Sequence, residues 1–161
     1  MPRMDDSLVV VEGGTYLRQP VTPNVLEDES AKQAIVNCIA KVFEALGQGR
    51  RESVYQNSLK YELSRQFSSP CMMEYPLPIV YEQERVGVSY VDLLLPRKFF
   101  VEVKSTAKLS IKDGLQAMAY ARDLNLKGIL VNFVQSQLSP STKKSFEIVV
   151  VDGYSIVERL V

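Results

Sequence analysis

Residues 91–105 read VDLLLPRKFFVEVKS. Two apolar runs flank Pro96-Arg97-Lys98, a turn signal that predicts a tight antiparallel strand pair. Charges interrupt both runs: Asp92 in the first, Glu102 and Lys104 in the second. Side chains alternate along a strand, so Glu102 and Lys104 share one face while Val101 and Val103 share the other. The tight connection brings Asp92 beside Glu102, with Cβ atoms about 4.5–5.5 Å apart for directly opposed positions. Two carboxylates that close raise each other's pKa unless a cation lies between them. Hard divalent cations take oxygen ligands, so Asp92, Glu102 and a strand carbonyl, that of Val103, suffice as the protein's share of a metal site. Lys104 alongside suits negative charge gathering on a phosphate. Glu-x-Lys by itself is frequent on half-solvated strands, where paired charges contribute little. Here the charges break two hydrophobic runs, and burying them without function is costly.

Outward from this hairpin, the pattern predicts an α+β domain. Ser30 and Gln33 are spaced as a capping box before Ile35, Cys38, Ile39, Val42, Phe43 and Leu46, with Gly47 as the stop. A second helix is expected over Arg51–Phe67, with Tyr55, Leu59 and Leu63 on one stripe. Strands over Met72–Tyr81, Val86–Leu95 and Phe99–Lys104 form an antiparallel meander. Ser110 with Asp113 opens a third helix. Ile111, Leu115, Met118 and Ala119 are assigned to its buried side, and Lys112, Gln116 and Tyr120 to a polar stripe lining a cleft. GILVNFV and FEIVVVDGY then read as central strands. The expected architecture is a mixed central sheet of about five strands flanked by helices. Residues 1–28, with Gly13-Gly14 between two β-prone runs and Pro20 and Pro23 following, form a hairpin or a mobile arm; 29–161 form one domain.

Composition narrows the chemistry. At 161 residues and 46% hydrophobic, the chain supports one core. Nineteen basic residues balance nineteen acidic ones, so any nucleic-acid binding must be local. The chain has no histidine, which removes Ser-His-Asp and Cys-His nucleophile systems, histidine-ligated zinc and a histidine general base. Neither glycine-rich nucleotide-binding fingerprint occurs. Two cysteines are too few for a disulfide scaffold. No leader and no apolar run of membrane-spanning length is visible, which implies an intracellular protein of cytoplasm or nucleus, with no membrane partner.

Gly49-Arg50-Arg51-Glu52-Ser53-Val54-Tyr55, followed by VDLLL, VEVKS and LQAMAYARDLNLKGILVNF, resembles the PD-(D/E)XK nuclease superfamily and its G-x-x-E-x-x-Y branch. The likeness runs from about Ile35 to Phe133, and Val91 stands where the superfamily's name has proline. It implies a restriction-endonuclease-like core and a nuclease that hydrolyses DNA by metal-activated water attack. Mg²⁺, or Mn²⁺ in its place, is then the cofactor, and RNA remains open as a substrate. By this resemblance Asp92 and Glu102 bind metal, Lys104 assists at the scissile phosphate and Glu52 adds a carboxylate. Gln116 and Tyr120 look like the family's Q-x-x-x-Y pair. Arg50, Arg51, Lys108, Lys112 and Tyr120 are the expected nucleic-acid contacts. The competing reading is a catalytically silent nuclease-fold module that binds nucleic acid or protein, and a second copy or another protein is admitted as partner.

Overall fold

The computed structural model describes residues 8–11, 14–17, 25–135 and 146–161. Strands β1 (Leu8–Val11) and β2 (Gly14–Leu17) pair antiparallel, Leu8 opposite Leu17 and Val11 opposite Gly14. Of the hairpin or mobile arm expected over residues 1–28, these two strands are described, and Gly13 and the rest up to Asn24 lie outside the described residues. A 3₁₀ turn over Val25–Glu27 leads into α1 (Glu29–Leu46). The cap is Asp28, whose carboxylate accepts the Ser30 N–H at 2.9 Å, rather than the expected Ser30–Gln33 box; Gln33 bonds Asn37 instead. The 3₁₀ turn closes on Asp28, whose N–H reaches the Val25 carbonyl at 3.1 Å, so the chain enters helical geometry earlier than Ser30.

Helix α2 (Glu52–Gln66) follows after Gly47 and Gly49, both at positive φ. Strands β3 (Met72–Tyr81), β4 (Glu84–Leu95) and β5 (Phe99–Lys104) form the expected antiparallel meander. Helix α3 (Ile111–Leu124) opens on the Ser110–Asp113 capping box and crosses over to β6 (Gly128–Phe133), which runs parallel to β5. Strands β7 (Phe146–Val151) and β8 (Ile156–Arg159) complete a six-stranded mixed sheet in the order β3-β4-β5-β6-β7-β8. The sixth strand, β8, is four half-polar residues, too short to show a period of its own.

Alternation along β5 divides the interior. Phe99, Val101 and Val103 pack with Ile35, Ile39, Tyr55 and Leu59 of α1 and α2, while Phe100 packs with Ala117, Tyr120 and Ala121 of α3. Cys38 and Cys71 are buried free thiols in the first of these cores. The α3 assignment is corrected: Ile111 is 85% and Leu115 57% exposed, and the buried side is Gly114, Ala117, Tyr120 and Ala121. The sheet beneath already presents Phe100 and Leu130, so small residues are what let the helix backbone approach. Gly128 obeys the same constraint, since a Cβ there would lie 2.2 Å from the Phe100 ring.

At the border of the sheet, β3 and β4 run out as a ribbon. Pro76 and Pro78 of β3 face Tyr90 and Val88, and Ile79, Val80 and Tyr81 are exposed. The ribbon turns at Glu82 and Gln83, both left-handed, as a twist-matched two-residue hairpin requires. Among the described residues no helix is long and apolar enough to cross a membrane.

Candidate active site

The ladder between β4 and β5 runs from Leu95–Phe99 to Leu93–Val101 and stops there. At the next position the two acids take its place. The Asp92 N–H donates to Glu102 Oε1 at 2.9 Å, and the Val103 N–H donates to Asp92 Oδ2 at 2.8 Å. Asp92 also marks a break in alternation, since Val91 packs in the α3-side core and Leu93 in the opposite one. Bulge-like departures of this kind re-aim a side chain at a strand end. The acids therefore meet as cross-strand neighbours, as the sequence spacing required.

Burial dominates their electrostatics. Glu102 is 3% exposed, and its carboxyl is pushed up to about 9, first by desolvation and then by the Asp92 charge. Asp92 rises to about 6 by desolvation, against the lowering bond from Val103, with Glu52 and Glu74 adding repulsion. Lys104 pulls both acids the other way, so its ammonium shares their surroundings. That ammonium lies 3.9 Å from Asp113 Oδ1 and 3.4 Å from Gln116 Oε1, at the first two turns of α3.

Glu52, in the first turn of α2, lies near enough to raise the Asp92 pKa. Its loop is fastened by Tyr55, which is fully buried, stacks on Phe133 at 4.3 Å, and donates its hydroxyl to the Gly47 carbonyl at 2.6 Å. Gln135 completes the fastening by accepting the Gly49 N–H at 2.7 Å. Gly49 at φ +88° holds a conformation that glycine alone adopts easily.

The other expected residues are placed unequally. Arg51, Lys108 and Lys112 are exposed. Arg50 is exposed too, but its Nε donates to the Leu46 carbonyl at the end of α1. Tyr120 differs from a projecting contact: it is 5% exposed, set edge-on to Phe100, with its hydroxyl in hydrogen-bonding contact with Ser89 and Gln116. Its ring forms a wall of the second core, and only its hydroxyl end turns toward the acids, whose charges help raise its pKa after burial.

Three polar residues escaped the sequence reading. Gln56, 4% exposed, donates from Nε2 to Glu74 Oε1 at 2.8 Å and to the Asp92 carbonyl at 3.0 Å. Asn132, fully buried, accepts the Thr106 N–H at 2.9 Å and donates to the Thr106 carbonyl at 3.1 Å, which anchors the chain leaving Lys104. A polar residue inside the apolar run GILVNF was the available signal for Asn132. Gln56 and Glu74 lie in segments where polar residues are ordinary.

Among the described residues, no three acidic, cysteine or histidine side chains converge closely enough to hold an ion alone. Two mutually repelling carboxyls, Glu102 buried and Asp92 half-buried, nonetheless fit a hard divalent cation, which completes its shell with main-chain, water and phosphate oxygens. The family model described as the PD-(D/E)XK nuclease superfamily matches residues 29–145. Searches of curated proteins and of solved structures give no significant match.

Proposed function

The chain belongs to the PD-(D/E)XK nuclease superfamily, and from that premise we propose that it is a magnesium-dependent nuclease hydrolysing phosphodiester bonds in DNA. The observation that carries this reading is the exchange of main-chain bonds by which Asp92 and Glu102 replace the β4–β5 ladder, with the Lys104 ammonium in their field. Structural ion pairs are seldom built this way, because two like charges are brought together where desolvation already penalises them.

Asp92, Glu102 and the Val103 carbonyl would hold the cation, with Mn²⁺ as a substitute. When bound, it supplies positive charge to the phosphate and makes water a better nucleophile. Lys104 neutralises charge that gathers on the phosphate oxygens, and Gln116 and Asp113 hold its ammonium in place. Glu52 adds negative charge at the rim from the start of α2, where it also complements the helix dipole. Arg50, Arg51, Lys108 and Lys112 contact the phosphates on either side, in keeping with a chain of zero net charge whose nucleic-acid affinity is local. The Tyr120 hydroxyl contributes as part of the cleft wall. The G-x-x-E-x-x-Y stretch, Gly49 to Tyr55, supports placement in the branch of that name.

The test is incubation of the purified protein with labelled single-stranded, duplex, flap and branched DNA, and with RNA, in Mg²⁺ or Mn²⁺. Cleavage of DNA that chelator abolishes, and that Lys104→Ala reduces about 100-fold or more, is the expected result. Equal cleavage by wild type and Lys104→Ala, or cleavage of none of the substrates, overturns the reading.

A further inference from the structure

A third strand takes part in presenting Asp92. Along β3 the register pairs Met73 with Leu93 and Tyr75 with Val91, which sets Glu74 opposite Asp92. The ladder skips that pair. Glu74 has φ +50°, a left-handed conformation that residues with a Cβ avoid in the middle of a strand. The Asp92 carbonyl accepts from the side chain of Gln56 at 3.0 Å, and the second amide hydrogen of Gln56 goes to the Glu74 carboxylate at 2.8 Å. One buried nitrogen thus ties α2 to β3 and β4 at the point where both strands are irregular.

The chemistry of this tie is specific. An amide Nε2 offers two hydrogens, and both acceptors here are oxygens without a hydrogen to give; the flipped amide would aim its own oxygen at both. A carboxylate at position 56 would do the same with added charge. The side chain is inside the protein, so water does not replace the lost donor cheaply.

We propose that Gln56 is a positioning residue of the acid site: held by Glu74 on one side, it fixes the Asp92 main chain on the other, and so sets the Asp92 carboxylate for cation binding. This rests on the metal-dependent reading above. Gln56 touches neither metal nor substrate and acts only through Asp92.

Mn²⁺ binding to the full chain, followed by titration calorimetry well below the melting temperature, measures this separately from turnover. Wild type is expected to bind, and Gln56→Met, of similar length without donors, to bind about 10-fold to 100-fold more weakly, the usual effect of losing a support behind a ligand. Glu74→Gln keeps an acceptor and is expected to stay within about threefold of wild type, whereas Glu74→Leu falls with Gln56→Met, and the double variant Gln56→Met/Glu74→Leu is no worse than either alone. A folded Gln56→Met with wild-type Mn²⁺ affinity overturns this inference and leaves the nuclease reading standing. Wild type that binds no Mn²⁺ overturns both. Should Gln56→Met fail to fold, the Glu74 pair decides, because that residue lies at the surface: equal affinity of Glu74→Gln and Glu74→Leu overturns the inference.

Discussion

Asp92 and Glu102 are bonded to each other's strands just past the last β4–β5 pair, Leu93–Val101: the N–H of Asp92 ends on a Glu102 carboxyl oxygen at 2.9 Å, and the N–H of Val103 on an Asp92 carboxyl oxygen at 2.8 Å. The same arrangement buries Glu102, half-buries Asp92 and sets the two against each other, and their proton affinities follow from it.

Stability in chelator is expected to fall as pH rises. The folded chain holds protons on Glu102 up to about 9 and on Asp92 up to about 6, whereas the unfolded chain releases them near 4.5 and 3.8. Between those limits the native state binds more protons than the unfolded one, so ∂ΔG/∂pH is negative. The contribution is fully present below the unfolded values and is lost as pH climbs through the folded ones. Saturating Mn²⁺ opposes the trend, because binding expels those protons and tightens with pH. Melting curves from pH 5 to 9, with and without Mn²⁺, check both slopes.

Glu102→Gln keeps an oxygen for the Asp92 N–H and removes the ionisable group. In chelator at pH 8 its melting temperature is expected to rise by about 2–4 °C, on the order of 1 kcal/mol, with a smaller gain at pH 5. Cleavage is expected to be lost. A variant that melts below wild type at both pH values contradicts the account of a penalised acid.

Two of the parts that hold the α1–α2 loop, the Tyr55 hydroxyl and Gly49, can be tested singly and together. Tyr55→Phe removes the bond to the Gly47 carbonyl and is expected to cost about 1 kcal/mol. Gly49→Ala forces a Cβ into a left-handed conformation for about 1–2 kcal/mol. The double variant should cost less than the sum, since both changes slacken the same segment. Denaturant titration gives the three values.

The buried side of α3 can be read by substitution. Ile111→Ser and Leu115→Ser are expected to stay within about 0.5 kcal/mol of wild type, whereas Ala117→Leu, facing Phe100 and Leu130, is expected to cost about 1–3 kcal/mol. Thermal melts of the three decide which face packs.

Much of the site was legible because its cause is local. Alternation in FFVEVK, a tight turn and three misplaced charges were enough to bring Asp92, Glu102 and Lys104 together. The capping box at Ser110 and Asp113 was equally visible, since it needs only residues three apart. The orientation of α3 was not. Apolarity favoured Ile111 and Leu115, but the sheet below is crowded with large side chains, and distance of approach selected Gly114, Ala117 and Ala121 instead. Glu74 was hidden for another reason: a glutamate at positive φ leaves no trace in the sequence, where a glycine would have drawn notice. Gln56 becomes interpretable only once Glu74 and Asp92 are seen to face each other across β3 and β4.

The ribbon's outer margin has a bearing on how the protein keeps company with itself. At Pro76 and Pro78 the chain lacks the amide hydrogens that an arriving extended segment needs, so strand-by-strand recruitment stalls at that border. Ile79, Val80 and Tyr81 can therefore stay bathed in solvent beside a border that offers a newcomer few bonds.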